Sequence, residues 1–245
     1  MWTLYRKEIS TFFTSLTGWL AVVVFLVLQG LLLWVFKGSY NITDNGFAAM
    51  DGLFASAPLL YLFLIPAITM RMFAEEKRAG TMELLLTKPI GEGGIVMAKY
   101  LAGVTLVAVT LLPTLVYYVT VYRLGSPAGN IDSGSVAGSY VGLLLIGAAF
   151  VAMGLLASVL TNNQIVAFIV AALLCAAMYL GFEGLYHLGI FGKGDLAVRQ
   201  LGMLAHYESI SRGVVDTRDV FYYLGVAVLA LMGCRMVLQS RKWRR

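Results

Sequence analysis

The chain has 245 residues, of which 60% are apolar and 13% are charged, and its formal net charge is +5. Soluble domains are about 45–50% apolar and about 25% charged, so this composition excludes a soluble enzyme, a disordered chain and a free nucleic-acid-binding protein. The two cysteines, Cys175 and Cys234, both lie in apolar runs, which predicts buried free thiols and neither a disulfide nor a metal site.

The first segment, residues 1–16, carries apolar side chains at helical spacing. The apolar positions are Trp2, Tyr5, Ile9, Phe12, Phe13 and Leu16. Polar residues that fall mostly on the opposite face are Arg6, Lys7, Glu8, Ser10, Thr11 and Thr14. This pattern predicts an amphipathic helix that lies in the membrane interface, and the alternative is a ragged end of the first membrane span.

Six apolar stretches are long enough to cross the roughly 30 Å apolar core of a bilayer as helices. They are residues 19–36, 53–72, 96–122, 136–160, 165–180 and 220–238. The fifth stretch is short and runs into Gly181 and Gly184. A signal peptide is the alternative for the first stretch, but Gln29 and Gly30 interrupt it and no small-residue cleavage site follows. The sequence therefore predicts an all-α polytopic membrane protein.

Several residues within the spans predict how they pack. Lys99 and Arg235 lie near the ends of spans, where long side chains can extend to the headgroups. Small residues recur along the fourth span, which favours close approach of another helix. They are Gly138, Gly142, Gly147, Ala148, Ala152, Gly154 and Ser158. Prolines lie in or at the start of spans and predict kinks at Pro58, Pro66 and Pro113.

The distribution of charge predicts the orientation. With the N-terminus inside, twelve Lys and Arg residues are cytoplasmic and six are external, whereas five Asp and Glu residues are cytoplasmic and eight are external. Basic residues accumulate on the cytoplasmic side of membrane proteins, so both termini are predicted to be cytoplasmic.

The segment at residues 75–90, between spans two and three, carries charges of alternating sign around a short apolar run. Gly80 can adopt the left-handed conformation that ends a helix, and Thr81 can cap a new one. Glu83 suits the positive end of the new helix, while Pro89 disfavours helix at Lys88. A short apolar helix at a surface favours docking into a groove of a partner protein, and the alternative is a loop partly buried in headgroups.

The segment at residues 181–219, between spans five and six, is rich in glycine and contains both histidines, His187 and His206. It predicts broken helical pieces that re-enter from the outer side, a backbone tolerated where protein or water satisfies it. Glu183 is the charge closest to the membrane there. It is either a functional intramembrane carboxylate or a solvated or paired residue at the outer interface.

Motifs for catalysis are absent from the sequence. It contains no phosphate-binding loop and no His-Glu-x-x-His, so ATP hydrolysis or zinc proteolysis by this chain is not expected. The spans also lack charges at their middles, which disfavours a transporter driven by protons or ions.

The residues from Glu75 to Ile90 resemble the cytoplasmic signature of ABC-2-type transporter permeases. The chain is most similar to the gliding-motility-associated ABC permease subunit of Bacteroidota. Further segments that carry this similarity are Leu33–Gly38, Asn162–Phe168 and Ser209–Asp219. The resemblance covers essentially the whole chain and implies a single transmembrane domain over residues 1–245.

The resemblance implies a coupling role for the segment between spans two and three. The ATPase-coupling residues would be Glu75, Glu76, Lys77, Arg78, Gly80, Thr81, Met82, Glu83, Leu84, Leu85 and Leu86. The helix Gly80–Leu86 would sit in a groove of the ATPase. The external re-entrant hairpin would cap the translocation path and contribute Glu183, His206, Arg212, Asp216 and Asp219.

The resemblance also implies partners and a location. Two ATPase subunits, which bind ATP and Mg, would work with this chain and a second permease subunit, identical or related, in a bacterial inner membrane. This chain itself would bind no cofactor or metal. The predicted function is the permease subunit of an ATP-driven exporter; the alternatives are a membrane component that transmits force without transport, and an intramembrane enzyme.

Overall fold

A computed structural model gives the fold of the protein and describes residues 1–44, 46, 48–87, 90–127, 129–189, 192 and 195–242. These residues form helices and turns, and no strand occurs among them. Within the described part of the chain, six helices are long and apolar enough to cross a membrane, as predicted. The predicted positions Lys88 and Pro89 lie outside the described residues.

Twelve α-helices follow one another along the described part of the chain. They are α1 (Trp2–Thr14), α2 (Leu16–Trp34), α3 (Asp51–Arg78), α4 (Met82–Leu86), α5 (Glu92–Leu111), α6 (Leu115–Leu124), α7 (Ser133–Leu160), α8 (Gln164–Ala176), α9 (Phe182–His187), α10 (Asp195–Leu201), α11 (Met203–Ile210) and α12 (Thr217–Lys242). A 3₁₀ turn at Leu112–Thr114 joins α5 to α6, and a π-helical turn at Ala177–Gly181 joins α8 to α9.

Two helices extend beyond the spans that were predicted within them. Helix α3 continues past residue 72 to Arg78 and includes the start of the predicted coupling segment. The helix that contains the predicted fifth span continues to His187, because a π-helical turn carries it past Gly181. The predicted external region therefore begins within a helix, and Glu183 lies in the first turn of α9.

The N-terminal helix α1 is separate from the first span. Ser15 has an extended backbone, and its hydroxyl accepts a hydrogen bond from Gly18 N, so it ends one helix and caps the next. A side chain at Gly18 would lie 2.4 Å from the carbonyl oxygen of Phe12, so the corner requires glycine. Leu4 is buried and Phe12 and Phe13 pack on the core, but Trp2 is exposed.

Helix α7 lies at the centre of the bundle, where it packs against α3, α5, α8 and α12. Its small residues allow this, as predicted: a Cβ at Gly154 would lie 2.2 Å from Thr69 Oγ1, and one at Gly147 would lie 2.8 Å from Val107 Cγ1. The C-terminal ends of α3 and α7 meet, so these helices run in the same direction.

The bundle has two ends, which are named here after the short helices beside them. The α4 end holds α1, α4, the C-terminal ends of α3 and α7, and the start of α5. The α11 end holds α10, α11 and the start of α12, and there Tyr207 on α11 donates a hydrogen bond of 2.7 Å to the carbonyl oxygen of Phe54 on α3. The predicted broken helical pieces therefore pack on the bundle as α10 and α11.

We predict that Gly154→Ala destabilises the protein by about 1–3 kcal/mol, because the new methyl group overlaps Thr69 on the facing helix. The matched control is Gly225→Ala in α12, where nothing lies within 4 Å of the added Cβ and the helix gains propensity. Thermal unfolding of both variants in detergent checks this, and equal midpoints would contradict the packing described here.

Candidate functional site

A buried cluster of charges joins three helices at the α4 end. Lys99, on α5, places its Nζ 2.8 Å from Glu8 Oε1 on α1 and 3.0 Å from Glu76 Oε2 on α3. Lys7 Nζ lies 2.8 Å from Glu76 Oε1 and 3.6 Å from Glu8 Oε1. We call Lys7, Glu8, Glu76 and Lys99 the Lys99 cluster.

Lys99 is fully buried, so the expectation that its side chain extends to the headgroups is wrong. Its ammonium also donates a hydrogen bond of 2.5 Å to the carbonyl oxygen of Met72 and lies 5.0 Å from the ring centroid of Phe73. A buried ammonium is tolerated only when it is paired and hydrogen-bonded, and here two carboxylates, a carbonyl and a ring surround it.

Glu8 was assigned to the polar face of α1, but its side chain is only 10% exposed and points to Lys99. It therefore fixes α1 to the bundle. Lys7 is half exposed, and partial burial lowers its pKa, but Glu76 and then Glu8 raise it further, so the pKa of Lys7 lies above its ordinary value. A raised lysine pKa stabilises the fold below about pH 10.5, and this contribution is lost only as the pH rises through the folded-state value.

The end of α3 is also bound to α7. The Ser158 hydroxyl accepts hydrogen bonds of 3.1 Å from the backbone N–H groups of Phe73 and Ala74 and donates one of 3.0 Å to the carbonyl oxygen of Met70. Lys77 donates a hydrogen bond to the carbonyl oxygen of Val159 at the end of α7. About two turns of α3 thus contact α1, α5 and α7 through polar groups.

The short helix α4 follows directly. Gly80 has a φ of +70°, the left-handed conformation predicted for it. The Thr81 side chain donates to the carbonyl oxygen of Glu76 at 3.3 Å and does not cap α4, so the predicted cap is wrong. Met82 and Leu85 are buried against other residues of this chain, whereas the exposed fraction of Leu84 is 67%.

The predicted coupling residues consequently fall into two groups. Those whose side chains are buried or bonded within this chain are Glu76, Lys77, Met82 and Leu85. Those that are exposed are Glu75, Arg78, Gly80, Thr81, Glu83 and Leu84. The side chain of Leu86 lies outside the described set. The exposed residues are accessible to a partner, whereas the others contact this chain itself.

The predicted external residues lie at the α11 end, far from the Lys99 cluster along the spans. Glu183 accepts a hydrogen bond of 2.9 Å from Arg199, and Arg199 also reaches Glu208 at 2.9 Å. Glu183 is therefore a paired carboxylate. The Arg212 side chain donates to the carbonyl oxygen of Glu208 at 3.1 Å.

His206 and Asp219 form a buried pair that connects α11 to the start of α12. Nδ1 of His206 lies 2.7 Å from Asp219 Oδ1, and Nε2 lies 2.9 Å from the carbonyl oxygen of Gln200. The ring stacks on Tyr222, with centroids 4.0 Å apart. Asp216 stands apart from this pair and accepts the backbone N–H of Arg218 at the first turn of α12.

Sequence reasoning missed Glu8, Lys99, Ser158 and Arg199. A charge inside an apolar helix is a signal for function, and it could have singled out Lys99. For Glu8 and Ser158 no comparable signal exists, because their roles depend on which helices meet in three dimensions. The described residues hold no group of three or more metal-ligating side chains.

Comparison with known proteins gives the family. Residues 2–192 match the family described as ABC-2 family transporter protein, which is most of the chain. The chain belongs to the ABC-2 transporter family. This is consistent with the six apolar helices, and it makes the chain a multi-pass membrane protein.

Two curated relatives are similar to this ABC-2 protein over part of its length. The probable ABC transporter permease protein NosY of Pseudomonas aeruginosa is 30% identical over 119 residues, which cover 46% of this chain and 42% of that protein. The protein of the same name from Stutzerimonas stutzeri is 30% identical over 118 residues, or 46% and 41% of the two chains. The matched region thus spans less than half the length of these relatives.

We predict that Lys99→Met destabilises the ABC-2 protein by about 3–5 kcal/mol, because two buried carboxylates lose their shared cation. Lys7→Met removes a cation of the same cluster that is half exposed, and we expect a loss of at most about 1 kcal/mol. Thermal unfolding in detergent measures both. A Lys99→Met protein as stable as Lys7→Met would refute the structural importance of the buried ammonium.

At the α11 end, we predict that Asp219→Asn loosens α11, because the buried imidazole of His206 loses a charged acceptor worth about 1.5–3 kcal/mol. Amide hydrogen exchange in Met203–Ile210 should accelerate about tenfold or more, while exchange in α4 is unchanged. The control is Asp216→Asn, which retains the side-chain oxygen that caps α12. Equal exchange rates in the two variants would contradict this assignment.

Proposed function

We propose that this chain is the permease subunit of an ATP-driven ABC-2-type exporter, and that α4 is its coupling helix. The observation that carries the proposal is the arrangement of α4. One side of this five-residue helix packs on the chain, while Glu83 and Leu84 face outward next to the Lys99 cluster. An exposed leucine on a short helix is suited to a hydrophobic groove on a partner.

The partner proposed here is an ABC ATPase, in two copies, each binding ATP and Mg²⁺. The relatives are named as ABC transporter permeases, and the phosphate-binding loop that ATP hydrolysis requires is absent from this sequence. The permease itself binds no nucleotide and no metal in this proposal. A second permease subunit, identical or related, completes the assembly.

The proposed route of coupling starts at α4 and enters the membrane through α3. Only Ala79, Gly80 and Thr81 separate the two helices, and the Thr81 side chain is hydrogen-bonded to the end of α3. A push on α4 therefore acts on the segment of α3 that is bound to α1, α5 and α7. A set of packed helices with two discrete arrangements converts such a push into opening of a path.

The proposed orientation places the α4 end in the cytoplasm and α11 outside, in a bacterial inner membrane. Support comes from the excess of Lys and Arg on the side of α1 and α4. In this arrangement α1 lies in the inner interface, and residues 181–219 cap the path on the outer side. The Glu183–Arg199 and His206–Asp219 contacts hold that cap together.

The cellular process we propose is gliding motility or a related secretion process. It is supported by the similarity of Leu33–Gly38, Asn162–Phe168 and Ser209–Asp219 to the gliding-associated subfamily. The third segment includes the end of α11 and the turn before α12, so the subfamily signature coincides with the proposed external cap.

The test is Leu84→Asp, which places a charge in the proposed groove contact without disturbing the chain's own core. We expect at least a tenfold weaker association with the co-expressed ATPase and loss of its stimulation, at unchanged membrane insertion. Pull-down from detergent and ATPase assays measure both quantities.

The matched control is Leu188→Asp, because Leu188 has the same exposure of 67% and lies at the opposite end of the bundle. Normal ATPase recovery and stimulation with Leu84→Asp, or an equal loss with Leu188→Asp, would overturn the proposal. Leu85→Asp is unsuitable as the primary test, since Leu85 is buried and its replacement would detach α4 from its own chain.

A further inference from the structure

A pocket of about 240 Å³ opens between the α1–α2 corner and α3, above the Lys99 cluster. Phe12, Ile68 and Leu106 form its apolar wall, and Lys7, Arg71 and Glu75 supply charges. It is thus a partly apolar, partly charged crevice at the level where the amphipathic helix α1 meets the first span. Such a site is suited to an amphiphilic ligand.

Arg71 is the unexplained residue of this pocket. Its Nε is buried without a hydrogen-bond partner, and among the described residues none forms a hydrogen bond or ion pair with its guanidinium. A guanidinium left without an acceptor at such a site is costly, and it is the group best suited to a phosphate. A phosphate oxygen in the pocket would supply the acceptor that its buried Nε–H lacks.

Glu75 places a second requirement on the ligand of this pocket. It lies four residues after Arg71 on α3, one helical turn closer to the end of the bundle, and its exposed carboxylate has no partner among the described residues. A ligand that satisfies both residues has a phosphate beside Arg71 and a cationic group one turn further out.

The charge balance of the surroundings favours a zwitterion over an anion. The ionisable groups in the pocket and directly beneath it are Lys7, Arg71, Lys99, Glu8, Glu75 and Glu76. Three are cations and three are anions, so an added anion would leave an uncompensated negative charge. A zwitterion leaves the balance unchanged, because its two charges pair separately with Arg71 and Glu75.

We propose that this pocket binds the headgroup of a phosphatidylethanolamine-type phospholipid. Its phosphate pairs with Arg71, its ammonium pairs with Glu75, and the glycerol end contacts Phe12 and Ile68. The order of these groups along α3 matches a lipid whose chains point into the membrane and whose ammonium points to the aqueous side. The bound lipid then connects α1 to α3 beside the polar contacts of the Lys99 cluster.

The experiment measures lipid binding to the delipidated full chain in detergent by native mass spectrometry. The probes are dioleoyl phosphatidylethanolamine, dioleoyl phosphatidylglycerol, free phosphoethanolamine and inorganic phosphate. We expect tight binding of the first lipid, at least tenfold weaker binding by Arg71→Gln, and no change with Arg78→Gln. Arg78 is the matched control because it is an exposed arginine on the same helix outside the pocket.

Glu75→Gln alters an exposed residue and so tests the proposal without a risk to folding. It should keep phosphatidylglycerol binding but lose the preference for phosphatidylethanolamine. Equal binding of the two lipids by the wild type, or unchanged binding by Arg71→Gln, would overturn the proposal. Binding of inorganic phosphate or phosphoethanolamine as tight as that of the lipid would also overturn it, since the ligand would then be a soluble phosphate. The assay contains no ATPase, so its outcome is independent of the coupling role of α4.

Discussion

The pairing of one buried ammonium constrains the whole α4 end of the protein. Lys99 has no access to solvent, so its charge must be met by Glu8, Glu76 and the Met72 carbonyl. The carboxylates come from two different helices, and the low dielectric of the interior makes the loss of either costly. The positions of α1, α3 and α5 are therefore mutually dependent, because moving any one of them away would leave a buried charge without its partner.

This dependence is concentrated in the C-terminal part of α3. Its C-terminal part contacts α1 and α5 through the Lys99 cluster and contacts α7 through Ser158. The exposed surface of α4, with Leu84 outermost, lies just beyond that part. The polar contacts of this segment are discrete hydrogen bonds and ion pairs that join α3 to three other helices. In the proposed coupling mechanism, this segment would pass a displacement of α4 on to those helices.

Much of the fold was predictable because hydropathy and length suffice to locate a span, and because Gly80 marks the boundary of α4. Other details depend on interactions between helices. The predicted second span stops at residue 72 because the charges that follow indicate a surface, and the sequence does not reveal that Glu76 pairs with the buried Lys99. The predicted fifth span stops at residue 180 because Gly181 indicates a break, whereas a π-helical turn carries the helix past it. The polar face of α1 was predicted from helical periodicity, which cannot reveal that Glu8 pairs with the buried ammonium of Lys99.

Helix α3 also connects the two ends of the bundle. With 28 residues it is about 42 Å long, and its first turn receives the hydrogen bond from Tyr207 on α11. Helix α11 is in turn bound to α12 through the pair of His206 and Asp219. Since α7 packs along α3 with glycines that leave no room for adjustment at Thr69, the two helices move together and not past one another. Helix α3 is therefore a continuous connection between the α4 end and α11, and polar contacts hold it at both ends.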